Sequence, residues 1–151
     1  MTIQKKMDQT IMEPAIRTVA MPADANANGD IFGGWLLSQM DIAGGVIAAQ
    51  CCKGRCATIA IEAMKFYKPV FIGDLVSIFA SIKKIGKTSM TINIDAFSTR
   101  KITGDKIRVT SGTFIYVAID DNGKSRNVEK KILKKTPSVN EGGLKYLIYT
   151  L

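Results

Sequence analysis

Apolar and polar residues follow two different periods along this chain, and the change of period divides it into elements. A long run of apolar and small residues with helical spacing predicts one helix at 33–52. Its most apolar stripe recurs every three or four residues and comprises Leu36, Met40, Ala43 and Ile47. Strand-like segments bounded by turn residues are predicted at 15–20, 57–67, 75–85, 88–99 and 107–119.

Alternation is clearest in the last two predicted strands. One places Met90, Ile92, Ile94 and Ala96 on a single face, and the other keeps in phase Val109, Thr113, Ile115, Val117 and Ile119. The four longer strands are about twice the usual length, and antiparallel strands this long must twist and curl. A helix that is apolar around most of its girth needs burial on several sides. The sequence therefore predicts an α+β fold, a curled antiparallel sheet wrapped around one long central helix.

One carboxylate, Asp41, interrupts the apolar helix. It shares a helix face with small residues, namely Gly34, Ser38, Gly44, Gly45 and Ala48. Each helix-interior glycine costs about 1 kcal/mol relative to alanine, so this face favours close approach by a ligand or a partner subunit. The alternative is a helix-packing face on which a salt bridge neutralises Asp41. In either case a carboxylate on such a helix needs polar or charged partners.

The charge of the chain is unevenly distributed. The 151 residues have the length of one domain and a formal net charge of +8. Residues 76–151 hold 14 basic and 6 acidic side chains, which is the whole excess. This asymmetry predicts an anionic partner for the second half, or else a solvated lysine-rich tail. We predict an N-terminal extension at 1–13, a domain at 14–123 and a basic, poorly ordered tail at 124–151.

Composition excludes several classes of function. The chain has no histidine, which excludes Ser–His–Asp and Cys–His catalysis, and with three cysteines no metal site is expected. The cysteines form no disulfide framework and predict free thiols in a reducing cytosol. The longest apolar run, about eight residues at 42–49, is far shorter than a bilayer span, so no membrane association is expected.

Two sharper alternatives concern phosphate and nucleic acid. The segment SIKKIGKT ends like a P-loop, but a serine replaces the first glycine and a strand follows it. Nucleic-acid binding fits a pI near 9.5 and is the leading non-enzymatic alternative. The basic cluster lacks interleaved aromatic residues, however, and no base-reading helix is evident, so no nucleic-acid partner is expected.

The most specific pattern joins the helix to the loop before it, and reads Asn26-x-x-Gly29-x-x-x-Gly33-Gly34, then Asp41 after six residues. Three further blocks follow, FYKPVFIGD at 66–74, IGKTSM at 85–90 and FIYVAIDDNGKSR at 114–126. Together these motifs resemble the hotdog-fold acyl-CoA thioesterases, closest to the YciA type and the related cytosolic long-chain acyl-CoA hydrolases. The resemblance implies a cytoplasmic enzyme that hydrolyses acyl-CoA to a carboxylic acid and coenzyme A, without a metal or resident cofactor.

The resemblance also implies roles for individual residues. Asp41 is then the catalytic carboxylate, as base or nucleophile, and Asn26 completes the site from the other half of a dimer. Asn28 lies two residues from the position of the family's asparagine and is the second candidate for this role. Gly33 and Gly34 lie at the helix N-terminus, where their N–H groups fit an oxyanion-stabilising role. The family assembles as dimers and then as hexamers, trimers of dimers.

Helix geometry independently favours a shared site. Seven residues, about 10 Å along a regular helix, separate Gly34 from Asp41. Catalytic groups must come within about 3 Å of the atoms on which they act. The loop of one subunit is therefore expected to meet the aspartate of its neighbour, and a monomer is expected to be inactive.

Coenzyme A carries a pyrophosphate and a 3′-phosphate, which basic residues at a subunit edge would neutralise. The candidates are Lys87, Thr88 and Ser89 in the matched IGKTSM block, and more weakly Arg100 and Lys101 at the end of the same strand. A charged hairpin rim without a ligand is the alternative. A catalytically inactive hotdog subunit that binds acyl-CoA as a sensor is a further interpretation, which the retention of Asn26 and Asp41 disfavours.

Overall fold

A computed structural model describes residues 13–128, which form one long helix and five strands. The helix, α1, covers Gly33–Cys52, as predicted. The strands are β1 (Ile16–Val19), β2 (Cys56–Phe66), β3 (Leu75–Ile85), β4 (Ser89–Thr99) and β5 (Lys106–Ala118). Each strand begins and ends within one residue of its predicted limits. A short 3-10 turn at Pro22–Asp24 lies between β1 and α1.

The five strands form a single antiparallel sheet in the order β1-β3-β4-β5-β2, so β1 and β2 are its edges. The helix packs across one face and contacts β2, β3, β4 and β5. The register aligns Met90 of β4, Tyr116 of β5 and Thr58 of β2 in one line, which we call the cross-strand row. The predicted α+β arrangement is confirmed.

The edge strand β2 is irregular. Its register with β5 shifts between Thr58 and Ala60 and again between Glu62 and Lys65. Ala63, inside the second irregularity, has a φ of 50°, in the left-handed region that residues other than glycine seldom adopt. Such bulges bend a strand and increase its local twist, which suits a sheet that curls around a helix.

The inner face of the sheet is apolar, and alternation identifies it correctly on β4 but not on β5. On β4 the predicted set, Met90, Ile92, Ile94 and Ala96, is buried. Of the in-phase set on β5, Val109 is buried beside a shift in register with β4, whereas Thr113, Ile115 and Val117 are only partly buried. Further along β5 the buried residues are those between them, Gly112, Phe114, Tyr116 and Ala118. Both faces of β5 carry apolar residues, so alternation could not identify the face that meets α1.

A buried ion pair fastens the segment before β3 to the end of β4. Asp74 is 2% exposed and forms a salt bridge with Arg100. The same carboxylate oxygen accepts hydrogen bonds from the backbone N–H of Phe71 at 3.0 Å and from the hydroxyl of Ser98 at 2.6 Å. Arg100 also donates to the carbonyl oxygen of Pro69 at 2.9 Å and lies 4.4 Å from the centre of the Phe71 ring.

The chain stays packed after the last strand. The Arg126 guanidinium donates to the carbonyl oxygen of Cys52 at 2.9 Å, at the end of α1. The N–H of Val128, which is buried, donates to the carbonyl oxygen of Lys87 at 2.9 Å. Residues 124–128, which we assigned to the tail, therefore contact both the helix and the turn between β3 and β4.

The remaining terminal assignments are not decided by the described residues. Residues 1–12 and 129–151 lie outside them, and the division at 14 and 123 stays a prediction. Within 13–128, no helix combines the length and the hydropathy that a membrane span requires.

We predict that Asp74→Ala lowers the free energy of unfolding by about 3–5 kcal/mol, because it leaves the Arg100 guanidinium largely buried without its counter-ion. Urea denaturation of the variant and the wild type measures this difference. Asp95→Ala is the matched control, since the Asp95–Arg108 pair is exposed and such pairs contribute at most about 1 kcal/mol. Equal losses in the two variants would contradict the structural role of the buried pair.

Candidate active site

Asp41 lies in the middle of α1 and faces two hydroxyl groups of the sheet. Its Oδ1 accepts a hydrogen bond from the hydroxyl of Thr58 at 2.6 Å and another from the hydroxyl of Tyr116 at 3.1 Å. The side chain is partly buried, and no ion pair within residues 13–128 includes it. Within the described residues, Asp41 is therefore not neutralised by a salt bridge, which was the alternative interpretation.

Sequence reasoning missed both hydroxyl donors. Thr58 and Tyr116 lie opposite each other on β2 and β5, and their contact with Asp41 depends on that register and on the distance between helix and sheet. Neither the register nor the distance can be inferred from periodicity. The one available signal was that Thr58 and Tyr116 each place a hydroxyl group in a largely apolar strand. Burial, and then the neighbouring Asp41 charge, raises the pKa of Tyr116, so its phenol remains a proton donor.

The close approach predicted for the small-residue face is made by the protein's own sheet at Gly44. A Cβ atom at this position would lie 2.8 Å from Cζ of Tyr116 and 2.7 Å from Cδ1 of Ile94. A Cβ at Gly34 would instead meet no atom of the described chain within 4 Å. The face is therefore closed by β4 and β5 near its middle and open at the helix N-terminus.

Asn26 organises the loop before the helix. Its side-chain oxygen accepts hydrogen bonds from the backbone N–H groups of Asn28 at 2.9 Å and Asp30 at 3.2 Å. Gly29 closes the turn with a φ of 84°, a conformation that favours glycine. Asn28, the second-ranked candidate, has an exposed side chain. The side-chain oxygen of Asn26 is thus used within the loop, and its NH₂ group is the part suited to a substrate.

The N-terminus of α1 offers backbone donors beside a cavity. Trp35 and Leu36 donate their N–H groups to the carbonyl oxygen of Phe32, but those of Gly33 and Gly34 find no acceptor within residues 13–128. Gly33 also lines a cavity of about 340 Å³ whose other walls are Ile31, Phe32, Leu36, Phe66, Tyr67, Lys68, Pro69 and Val70. Asp41 does not line this cavity.

The predicted catalytic residues therefore fall into two groups within one subunit. Asn26 lies in the loop before α1 and Gly33 and Gly34 begin the helix, whereas Asp41 lies about two turns further along it. Because α1 is a continuous α-helix from Gly33 to Cys52, the separation of about 10 Å inferred from the sequence applies to the folded chain.

At the turn between β3 and β4 lie Lys87, Thr88 and Ser89. This turn is near the end of the sheet that faces Asp41. Ser89 immediately precedes Met90, which begins the cross-strand row that ends at Thr58. Two strand spacings, roughly 10 Å, separate the β4 and β2 ends of that row. The side chain of Lys87 is exposed. The turn is thus on the same side of the molecule as the carboxylate.

Arg100 lies at the other end of β4. It follows β4, whose 11 residues place it roughly 35 Å from the Lys87 turn of the same subunit. Its side chain is 15% exposed, and its charge is compensated by Asp74. Within one subunit Arg100 is therefore a structural cation of the sheet end, and its contact with coenzyme A stays a prediction.

The three cysteines, Cys51, Cys52 and Cys56, are free thiols at the end of α1 and the start of β2. Burial raises the pKa of Cys51, and burial together with the neighbouring Cys52 raises that of Cys56. A raised pKa keeps a thiol protonated, which makes it a poor nucleophile. Cys51 and Cys56 are therefore poor candidates for a catalytic nucleophile.

Comparison with known proteins identifies the family. The family model for the thioesterase superfamily matches residues 28–103 of the chain. The protein belongs to the thioesterase superfamily. Among its superfamily relatives, the acyl-CoA thioester hydrolase YciA of Salmonella typhimurium is 48% identical over 124 residues, covering 80% of this chain and 93% of the relative. YciA of Escherichia coli is 46% identical over 114 residues, covering 74% and 86%.

Solved structures of other thioesterases have the same fold. A hexameric thioesterase from Yersinia pestis superposes with a TM-score of 0.76 at 49% identity, covering 79% of this chain and 97% of the neighbour. A hexameric hotdog fold thioesterase of Campylobacter jejuni gives 0.74 at 38%, covering 78% and 90%. An aspartate-to-alanine mutant of a hexameric broad specificity acyl-coenzyme A thioesterase gives 0.76 at 40%, covering 78% and 87%. The predicted hotdog fold is confirmed.

Proposed function

We propose that this protein hydrolyses acyl-CoA thioesters to free carboxylic acids and coenzyme A. The observation that carries the proposal is the environment of Asp41, whose carboxylate is bound by two hydroxyl groups and by no cation of the described chain. A carboxylate without a counter-ion keeps its capacity to act as a base or a nucleophile. The relatives that are 46% and 48% identical over 74% and 80% of this chain are named acyl-CoA thioester hydrolases.

The proposed chemistry assigns each role to a group of this chain. Asp41 removes a proton from water while the water oxygen bonds to the thioester carbonyl carbon, or it attacks that carbon itself. The N–H groups of Gly33 and Gly34 stabilise the oxyanion that forms. Collapse of the tetrahedral intermediate breaks the C–S bond, and on the general-base route coenzyme A leaves as its thiol with the proton that Asp41 took from water. On the nucleophilic route the collapse leaves a mixed anhydride on Asp41, which water hydrolyses to the free acid and the carboxylate, and the proton released from that water goes to the thiolate. This scheme uses no metal ion and no resident cofactor.

We propose further that one active site combines two subunits. Gly34 and Asp41 of one chain are too far apart to act on a single carbonyl group. A second copy that brings its own loop beside Asp41 resolves this conflict. The side-chain NH₂ group of Asn26 from that copy would then hold the attacking water or the carbonyl oxygen.

Surface chemistry supports an interface on this side of the molecule. Large apolar side chains are exposed on both elements that surround the carboxylate, Ile42 and Val46 on α1 and Ile59 and Ile61 on β2. As an edge strand, β2 also presents hydrogen-bonding groups that a second β2 can satisfy. We therefore propose a dimer as the minimal active unit.

Because the neighbours from Yersinia pestis and Campylobacter jejuni are hexameric, we propose that three dimers form a hexamer.

The turn at Lys87, Thr88 and Ser89 is our candidate for the phosphate end of coenzyme A. An exposed lysine and two hydroxyl groups are suited to phosphate oxygens. The turn lies on the side of the molecule that holds Asp41, so a substrate reaching from one to the other needs no change in the fold.

We predict that Asp41→Asn reduces turnover by at least about 10²-fold while leaving folding and assembly intact, because the substitution is nearly isosteric but removes the base. Thiol release from a panel of acyl-CoA esters measures turnover, and thermal denaturation with gel filtration checks the fold. Asp95→Asn, on an exposed carboxylate of β4, is the control and should retain full activity. Full-rate hydrolysis by Asp41→Asn would remove this residue from the mechanism, and a wild type inactive on every ester would refute the proposed function.

Mixing two inactive variants tests the shared site. After denaturation and joint refolding of Asn26→Ala with Asp41→Asn, random pairing in a two-fold dimer restores about a quarter of the wild-type activity, since each mixed dimer regains one intact site. Asp41→Asn refolded with itself is the control and should remain inactive. Absence of recovery, with mixed dimers demonstrated by native mass spectrometry, would reject the two-subunit site.

The phosphate site can be tested with two substrates that carry the same acyl group. We expect Lys87→Ala to raise KM for the acyl-CoA about tenfold, the effect of losing one charge-assisted hydrogen bond, with little change in kcat. KM for the acyl-pantetheine, which has no phosphate, should not change. Lys106→Ala, at the opposite end of the sheet, is the control. A rise in KM that is equal for both substrates would contradict a phosphate contact.

A further inference from the structure

The phenolic oxygen of Tyr116 lies between two atoms of the same residue on α1. It is 2.9 Å from the backbone carbonyl oxygen of Asp41 and 3.1 Å from the carboxylate Oδ1. A phenol has one proton to donate, so a single donor serves both acceptors. The side chain of Asp41 is thereby tied to its own backbone through a group that belongs to the sheet.

The fold makes room for this contact by placing glycine, a poor helix former, at position 44 of α1. The Tyr116 ring passes the helix at this position, and a Cβ there would lie 2.8 Å from Cζ of that ring. The ring is 1% exposed, and a hydroxyl group buried to this degree is costly unless it is hydrogen-bonded. Phenylalanine would fill the same space without that requirement. Packing alone therefore does not explain a tyrosine at this position.

Few groups compete for the Asp41 carboxylate. Tyr116 faces it from β5, and Thr58 with the Cys56 thiol approaches it from β2. No cation of β3 or β4, nor of any other part of residues 13–128, pairs with it. Both hydroxyl donors act on Oδ1, and Oδ2 has no hydrogen-bond partner in that range. The two carboxylate oxygens are therefore in different environments.

We propose that Tyr116 is a positioning residue, whose hydroxyl group, admitted by Gly44, fixes the orientation of the Asp41 carboxylate. With Oδ1 held by the sheet, Oδ2 is the oxygen presented to water or to the thioester. The phenol stays protonated, so it donates over the whole working pH range and does not itself titrate. This inference rests on the proposed function, because it assigns Tyr116 to the same reaction.

The test is Tyr116→Phe in the full-length protein. Phenylalanine keeps the ring and its packing but leaves Oδ1 of Asp41 with one donor, Thr58, so the carboxylate is no longer held in one orientation. We expect kcat to fall about tenfold while KM stays the same. Thr113→Val is the control, since it removes a hydroxyl group from the opposite face of β5 and should change neither quantity.

A second readout does not depend on activity. With carboxyl-¹³C aspartate in the protein, the Asp41 signal is assigned by its absence from the spectrum of Asp41→Asn. Its chemical shift at neutral pH should change in Tyr116→Phe, because Oδ1 loses one of its two hydrogen-bond donors, and should not change in Thr113→Val. If the wild type hydrolyses no ester, the proposed function fails, and this chemical shift still decides whether Tyr116 acts on Asp41. An unchanged chemical shift overturns the inference, as does an unchanged kcat in an active enzyme.

An isosteric experiment covers the case in which Tyr116→Phe does not fold. Wild-type protein produced with fluorinated tyrosine retains the phenol but makes it more acidic, and therefore a stronger hydrogen-bond donor. Both kcat and the Asp41 chemical shift should change relative to the protein with ordinary tyrosine. An unchanged kcat together with an unchanged chemical shift would overturn the inference.

Discussion

The carboxylate of Asp41 is held against the sheet by hydroxyl groups of Thr58 and Tyr116, without a cation from the described chain. Both donors come from the sheet, so the helix must lie at the height and rotation that bring Asp41 above them. Gly44 permits that height, and the pairing of β2 with β5 sets the two hydroxyl groups side by side. The packing of α1 and the chemistry of its carboxylate are thus two results of one arrangement.

Two aspartates of this chain illustrate how environment separates architecture from chemistry. Asp74 is buried, receives several donors and is paired with Arg100, so its charge is fully engaged. Asp41 has one oxygen engaged by neutral donors and its other oxygen unengaged within residues 13–128. The first arrangement fastens a segment to the sheet. The second leaves one carboxylate oxygen without a partner in the described chain, as the proposed reaction requires.

The elements were predictable because they depend on local periodicity. The limits of α1 coincide with the run of apolar residues at 33–52, and each strand lies within one residue of its predicted span. Features that depend on distant pairing were not predictable. The sequence displays the charge of Arg100 but not its partner 26 positions earlier, and it displays Thr58 without the register that carries it to Asp41. The inner face of β5 was ambiguous because both of its faces are apolar.

The irregular edge of β2 affects which other chains can pair with it. A long, flat edge strand with exposed isoleucines would recruit any extended segment, including those of other unfolded proteins. The two bulges and the left-handed Ala63 interrupt the even row of donors and acceptors that such recruitment needs. A matching copy that carries the same interruptions remains a suitable partner. The distortion of this strand therefore disfavours indiscriminate strand addition and is compatible with the proposed pairing of β2 with a second copy.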